Sequence, residues 1–217
     1  MSLIGKTLGK YKLIELVGKG GMAYVYRAVD PDLARVVAVK VMHRYLCEDG
    51  SFVRRFGREA KAISRLQHAN IVGFIDFDRE QDQYYLVMDY INGGTLRDYL
   101  AKKGALPPLQ ALQLILHLAN ALAYAHQKGI IDRDIKPSNI MFLDKSQTHP
   151  VLTDFGLARL RDHKHTTITN SIAGTPSYMS PEALHNEAID ERSDIYSLGI
   201  VLYQMVVGST PYSAETP

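Results

Sequence analysis

Between Gly129 and Met141 two aspartates, Asp132 and Asp134, a lysine, Lys136, and an amide, Asn139, are crowded between apolar flanks, and Asp154-Phe155-Gly156 follows. Asn139-Ile140-Met141-Phe142-Leu143 reads as a short strand, 144–150 as a turn and Val151-Leu152-Thr153 as the returning strand, so antiparallel pairing sets Asn139 beside Asp154. Two oxygen donors at one end of a hairpin make half of a magnesium site, because that hard cation takes few protein ligands and completes its shell with water and substrate phosphates. Asp134, five residues before Asn139, sits where the turn presents a carboxylate to an incoming hydroxyl, and Lys136 would screen phosphoryl oxygens in flight. The competing reading is a solvated surface turn, which the apolar flanks disfavour.

A second cluster lies nearer the amino end. Gly18-x-Gly20-x-x-Ala23 is a weak signal alone, compatible with an ordinary hairpin turn or with a backbone cradle for phosphate. In a dinucleotide-binding unit such glycines open a helix, whereas here Tyr24-Val25-Tyr26 continues as strand, which favours a hairpin flap. The other large class of phosphate loop needs Gly-Lys-Ser/Thr, and Gly20-Gly21-Met22 lacks it. Lys40 closes the run Val37-Ala38-Val39-Lys40 and by itself reads as a solvated strand end. Glu59, on the one helix expected in that region, changes the reading: a buried ammonium needs a carboxylate partner, and so paired the lysine would aim at phosphates.

The elements that must position these groups follow from patterning. From Tyr11 to Tyr90 the chain reads mostly as strands: Tyr11–Val17, Tyr24–Val29 and the β-branched run from Val36 form a meander, and Ile71–Phe77 with Tyr84–Tyr90 form a pair. Phe52–Leu66, apolar at Phe52, Phe56, Ile63 and Leu66, is an amphipathic helix with Arg54, Arg55, Arg58, Lys61 and Arg65 on its solvated face. After Asn92-Gly93-Gly94 helix takes over, which predicts two lobes, 1–91 and 92–217, and an α+β fold class. Pro107-Pro108 opens a helix whose core-facing stripe is expected at Leu112, Ile115, Leu116, Ala119, Leu122 and Ala123, with Gly129 past its end. Ile195–Val207 is apolar nearly all round and predicts a helix buried on every side.

Composition narrows the function classes. At 217 residues and 46% apolar content the chain can bury a sizeable core. A formal charge of +2, without blocks of like charge, implies neither nucleic acid nor an anionic membrane as partner. The single cysteine, Cys47, excludes an internal disulfide, fits a reducing compartment and reads as an inert thiol. Met1–Leu16 lacks the apolar core and cleavage site of a secretory signal, and Ile195–Val207 is too short to cross a bilayer. A cytoplasmic protein is expected.

Taken in order, the glycine-rich segment Gly18–Val25, Val37-Ala38-Val39-Lys40, Glu59, Asp132-Arg133-Asp134 with Lys136 and Asn139, Asp154-Phe155-Gly156 and Ser180-Pro181-Glu182 resemble the protein kinase signature set over nearly the whole chain. "GKGGMAYVYRAVD" and "GTPSYMSPEAL" resemble the bacterial serine/threonine kinases of eukaryotic type. The resemblance implies a two-lobed fold, a strand-rich amino-terminal lobe with one helix and a mainly helical carboxy-terminal lobe, and transfer of the γ-phosphoryl of ATP to protein hydroxyls with Mg2+ or Mn2+. It implies Asp134, Lys136, Lys40 and Glu59 as catalytic residues and Asn139 and Asp154 as metal ligands. Nucleotide contacts would come from Val17, Gly18, Lys19, Gly20, Val25, Ala38, Lys40, Met88, Asp89 and Met141, with Met88 beside adenine, Asp89–Gly93 as the hinge, and Val25, Ala38 and Met141 around the base. Lys136-Pro137 and Thr175 beside Gly174 go with serine or threonine acceptors, and Thr175 would face the substrate. Arg133 implies control by phosphorylation, with Thr167 and Thr169 as acceptors, including autophosphorylation. His163 and His165 read as plain loop residues. A weak homodimer through the strand-rich lobe would be family-like, and longer relatives bear a membrane anchor and an external sensor.

The chain departs from that pattern in ways that carry their own expectations. Asp132 stands where the family has histidine. A carboxylate buried beside Asp154 would be disfavoured by desolvation and by like charge, so Asp132 is expected to hold its proton and to handicap the enzyme. Ala23 replaces the third glycine and is tolerable if its φ is negative. Ser180 precedes Pro181-Glu182 in place of alanine, a mild change. The family continues through further helices, one of which supplies an arginine to the residue matching Glu182, so a buried pair would be broken at a cost of about 3–5 kcal/mol and a longer version would be more stable. Two rival readings are a pseudokinase or nucleotide-binding scaffold, motivated by Asp132, and a dinucleotide-dependent oxidoreductase, disfavoured by the strand after the glycine turn.

Overall fold

The computed structural model describes residues 3–155, 176–185 and 187–212. It divides into two compact units, one of residues up to Gln67 with Val72–Tyr90, the other of His68–Ile71 with the residues from Ile91 onward.

The first unit is a six-stranded antiparallel sheet of order β1-β2-β3-β4-β6-β5. Its strands are β1 (Thr7–Leu8), β2 (Tyr11–Lys19), β3 (Ala23–Asp30), β4 (Arg35–Met42), β5 (Phe74–Glu80) and β6 (Gln83–Asp89). β4 is central, and from Val37 to Met42 both of its faces are covered, which is why its sequence is an unbroken apolar, β-branched run up to Lys40. Tyr11, Leu13, Tyr26, Ala28, Val37, Val39, Val41, Tyr85 and Val87 form one buried cluster on a single side of the sheet. The short helix α1 (Arg44–Cys47) and the strand β1 are additions to the expected elements. Helix α2 (Gly50–Ile63) is capped by Asp49, whose side chain accepts the Ser51 N–H at 2.8 Å, and buries Phe52, Phe56, Glu59, Ala60 and Ile63. Glu59 thus lies on the helix's apolar face, and Arg54, Arg58, Lys61 and Arg65 are exposed as the amphipathic pattern requires.

The second unit holds α3 (Leu96–Lys103), α4 (Pro108–Gln127), the hairpin β7 (Ile140–Phe142) and β8 (Pro150–Leu152), α5 (Pro181–Leu184) and α6 (Glu191–Val207). Thr95 caps α3, accepting the Asp98 N–H at 3.1 Å, and Asp190 caps α6, accepting that of Arg192 at 2.9 Å. His68–Ile71, which the sequence reading kept in the first lobe, belongs here: Asn70 donates to the Pro150 carbonyl at 2.7 Å and accepts the Leu152 N–H at 2.9 Å. β5 therefore begins at Phe74 and not at Ile71, whose own pairing is with Leu152.

Two helix faces differ from expectation. The buried stripe of α4 is Ala111, Leu114, Leu118, Ala121, Leu122 and Ala125, while Leu112 and Leu116, expected inside, are 55% and 61% exposed. With leucine on several faces the 3.6-residue period has no single phase, and the small alanines mark the close-packed side better than the leucines do. α6 buries Ser193, Asp194, Ser197, Leu198, Ile200, Val201 and Met205, whereas Ile195 is 60% and Val207 51% exposed. Among the described residues it is covered on one face, and that face includes polar groups with specific bonds.

Gly93 is where backbone meets backbone. Its N–H donates to the Phe142 carbonyl at 3.0 Å, and a Cβ there would overlap the carbonyl oxygens of Phe142 and Asp144. Gly93→Ala should cost about 1–3 kcal/mol, read as a lower urea midpoint at unchanged slope; an unchanged midpoint would show that the strand end yields freely.

Candidate active site

In the second unit the polar residues of 132–139 are bound to one another. Lys136 Nζ lies 2.7 Å from Asp134 Oδ1 and 2.8 Å from Oδ2. The Asn139 amide donates to the Asp134 carbonyl at 2.9 Å and to its Oδ2 at 3.0 Å. Asp134 is 7% and Asn139 8% exposed, so the carboxylate is held by a cation and an amide rather than by bulk water. Asn139 ends a short 3-10 turn, Pro137–Asn139, instead of opening the strand, and its carbonyl accepts both the N–H and the hydroxyl of Thr153, at 2.8 and 3.0 Å. Those bonds fix the residue before Asp154, which has φ +61°, a left-handed conformation that aspartate tolerates better than most side chains.

The metal reading can be tested on Asn139. Its Nδ2 donates to Asp134 alone in both bonds, which turns Oδ1, approached by the Ser138 hydroxyl at 3.4 Å, away from that carboxylate as a neutral oxygen donor. With Asp154 this is a hard-oxygen pair that suits magnesium completed by phosphates. Among the described residues no group of three or more His, Cys, Asp or Glu is placed to hold a metal, so a self-sufficient protein cage is not what these residues build.

Asp194 is the residue that sequence reasoning missed. From the first turn of α6 its Oδ2 accepts the Asp132 N–H at 2.9 Å and bonds His126 Nε2 at 2.8 Å, while Oδ1 accepts the Arg133 N–H at 2.8 Å. Fully buried, it clamps the backbone just ahead of Asp134, where Arg133 takes φ +71°. An acid in a helix's first turn ordinarily reads as a partner of the helix dipole, and nothing in its local sequence sets this one apart.

In the first unit, register places Val25 opposite Lys40, Lys40 opposite Leu86 and Ala38 opposite Met88. Opposed residues share a sheet face, as do residues two apart on a strand, so Val25, Ala38, Lys40 and Met88 line the same face. Lys40 and Glu59 are both buried, at 9% and 6% exposure. Gly18 stands opposite Val25 beside a bulge, and Val17, Lys19 and Gly20 are exposed, as is Asp89. Ala23 does not have a positive φ, so the missing third glycine imposes no backbone strain. Met141, in the second unit, is half-buried and bridges to Thr95. Gly156, His163, His165, Thr167, Thr169, Gly174 and Thr175 lie outside the described residues.

A family model described as the protein kinase domain matches residues 11–217. The chain belongs to the protein kinase family. It is 43% identical over 215 residues to the serine/threonine-protein kinase PrkC of Bacillus subtilis, covering 99% of this chain and 33% of that one. To PknB of Mycobacterium leprae it is 42% identical over 214 residues, covering 96% of this chain and 34% of that one. The chain thus spans about a third of the length of the curated relatives it matches. Among solved structures the Mycobacterium tuberculosis PknI kinase domain superposes with a TM-score of 0.78 at 29% identity, over 98% of this chain and 81% of that one. The kinase fold is the two-lobed α+β architecture expected, and no helix among the described residues is long and apolar enough to cross a membrane.

Asp132, where the family has histidine, is 1% exposed. Oδ1 accepts the Asp134 N–H at 3.3 Å, and Oδ2 has no hydrogen-bond partner among the described residues. Burial above all, then the carboxylates of Asp194 and Asp134 and finally Asp154, push its pKa well above the usual carboxylate range. The direction agrees with the sequence expectation, but Asp194 leads Asp154 as the like charge. Glu182 departs from expectation: it is half-buried, its carboxylate accepts the Ser193 hydroxyl at 2.5 Å, and that bond draws its pKa down. Its charge has a donor within the described residues, so the cost assigned to a broken buried pair does not arise in that form.

Two outcomes follow. A raised folded-state pKa means that Asp132 takes up a proton on folding at any pH between its unfolded value, about 3.9, and its folded one, so its contribution is fully present below the former and is lost as pH rises toward the latter. Asp132→Asn, which needs no proton, should gain stability over wild type by about 1.4 kcal/mol per pH unit across that window; a pH-independent difference in urea midpoints would contradict it. Asp194→Ala strands one buried and one half-buried backbone N–H group and should cost about 2–6 kcal/mol. A loss below about 1 kcal/mol in the same unfolding assay would show that the loop holds itself.

Proposed function

We propose that the chain is the catalytic part of an ATP-dependent protein serine/threonine kinase that transfers the γ-phosphoryl group to serine or threonine hydroxyls, its own among them. The observation that carries this reading is the Asp134 carboxylate, buried and gripped by Lys136 and Asn139. The naming of PrkC and PknB as serine/threonine kinases supports the acceptor class.

Asp134 orients the acceptor hydroxyl and takes up its proton as the oxygen attacks phosphorus and the bond to the β-phosphate oxygen breaks. Lys136, which in the structure spans both carboxylate oxygens of Asp134, would screen the oxygens of the transferring group. Asn139 and Asp154 would hold the divalent ion, Mg2+ with Mn2+ as a substitute, which supplies charge neutralisation at the phosphates when bound. In the first unit Lys40, supported by Glu59, grips phosphates, and Val25, Ala38 and Met88 present an apolar face suited to a base; Met141 is the further base-contacting residue that the family resemblance implies. Gly18, Gly20 and their neighbours Val17 and Lys19 cover the phosphates, and Asp89 lies in the hinge. Arg133 would answer a phosphate on Thr167 or Thr169, and Thr175 would face the acceptor. Catalysis is positioning and charge neutralisation, with no covalent intermediate on the protein.

Transfer of labelled phosphate from ATP to the chain and to a basic acceptor protein tests the reading. Asp134→Asn should lower kcat about 10²–10⁴-fold with ATP affinity kept, the size expected for removal of a general base. Wild-type signal no greater than that of Asp134→Asn, with ATP bound, would refute it.

A further inference from the structure

The turn between β2 and β3 is tied down from outside the hairpin. His43, the residue after β4, bonds through Nε2 to the Gly20 carbonyl at 2.8 Å, and the Tyr45 hydroxyl in α1 donates to the Gly21 carbonyl at 2.9 Å. The backbone N–H of His43 donates to the Met22 carbonyl at 2.8 Å. Three successive carbonyls of the turn are therefore taken by one short segment, 43–45. A carbonyl only accepts, so Nε2 carries the proton. The rings brace one another: Tyr24 meets His43 edge-on at 4.5 Å between centroids, and His43 stacks on Tyr45 at 5.7 Å. The Gln83 amide also bonds the Met42 carbonyl, which steadies the end of β4 from which the segment departs.

These bonds decide where the turn's donors face. No peptide bond here is cis, and in a trans peptide C=O and N–H point in opposite directions. With the Gly20 and Gly21 carbonyls drawn to His43 and Tyr45, the N–H groups of Gly21 and Met22 are turned the other way, and among the described residues neither donates a hydrogen bond. Successive backbone N–H groups left open in a turn make a concavity for an anion. Gly20 N–H is used internally, donating to Ala23 O at 2.9 Å, so it keeps the turn closed rather than serving a ligand.

We propose that His43 and Tyr45 are positioning residues that preset the glycine-rich turn for the nucleotide's phosphates, so that nucleotide affinity is tuned from a segment that does not itself touch the nucleotide. The proposal rests on the kinase reading above. A turn already ordered binds with its intrinsic affinity, whereas a turn ordered only part of the time binds more weakly in proportion to the competent fraction. Losing one neutral hydrogen bond of this kind should therefore raise the Kd for ATP about three- to tenfold.

The test uses the whole chain with His43→Phe and Tyr45→Phe, which keep the rings and remove the donors, singly and together. Backbone hydrogen exchange over residues 18–23 is measured without nucleotide, MgATP binding by calorimetry, and kcat and KM by phosphate transfer. The expected result is faster exchange in the turn, Kd and KM for ATP raised about three- to tenfold in each single variant and further in the double, with kcat at saturating ATP unchanged and the urea midpoint lowered by no more than the lost bonds account for. His43→Gln, which retains a donor, should recover most of the affinity lost in His43→Phe. Unchanged exchange and affinity in the double variant, while wild type binds and turns over ATP, would overturn the latch and leave the kinase reading standing. A fall in kcat together with the urea midpoint would reduce the two residues to a structural role and overturn it equally. Absence of ATP binding in wild type would overturn both readings, whatever the exchange shows.

Discussion

The second unit depends on one buried carboxylate accepting two neighbouring backbone N–H groups. Asp194 receives those of Asp132 and Arg133, and through them α6 dictates the path of the chain that presents Asp134. A left-handed arginine is a costly conformation for a residue with a long side chain, and it persists because the bonds on either side over-determine it. From there the constraint passes along the sequence: Asp134 to Lys136 and Asn139, Asn139 to Thr153, Thr153 to the backbone of Asp154. The links as far as Thr153 are hydrogen bonds between groups that are buried or half-buried, so none can be traded for water without leaving a partner unpaired, and the chain itself carries the constraint from Thr153 to Asp154.

That arrangement concentrates negative charge, and Asp132 is where the concentration shows. Asp194, Asp134 and Asp154 all raise its pKa, and burial raises it more. A histidine at that position would relieve the like-charge repulsion; a carboxyl achieves the same only by keeping its proton, at the expense of stability at higher pH. His126, on α4, bonds the same Asp194 oxygen, Oδ2, that accepts the Asp132 N–H, so the anchor is shared between two helices and the loop it holds. The first unit works by different means. Its polar residues are placed by strand register: Lys40 falls on the same face as Val25, Ala38 and Met88 because β3, β4 and β6 pair without interruption there.

Much of this was legible in the sequence because the local chemistry was unusual. The crowd at 132–139, the lysine interrupting an apolar strand and the acid on an amphipathic helix each violate ordinary patterning, and Asp132, Asp134, Asn139, Lys40 and Glu59 are buried; Lys40 lies inside β4, which continues to Met42, and does not close it. Strand existence and the α2 face followed from periodicity, since Phe52, Phe56 and Ile63 leave one consistent phase. α4 offered no such phase: leucines at 112, 114, 116 and 118 support more than one stripe, and packing chose the one lined with alanine. Asp194 was invisible for a deeper reason, since its role is defined by backbone groups about 60 residues away, and backbone donors leave no mark in a sequence. The same holds for His43 and Tyr45, whose partners are the carbonyls of Gly20 and Gly21.

We propose that the bonded set around Asp134 leaves Asn139 and Asp154 as the oxygen donors for a divalent ion and reserves Asp134 for the acceptor hydroxyl. A crystal structure of the chain with a non-hydrolysable ATP analogue and Mn2+, with the ion located by its anomalous scattering, tests this directly. The expected map places the ion in ligand contact with Asn139 Oδ1 and an Asp154 oxygen, at about 2.0–2.3 Å, with Asp134 still bound to Lys136 and Asn139 and outside the coordination shell. An ion ligated by Asp134 or Asp132, or bound nucleotide with no ion at Asn139 and Asp154, would contradict it.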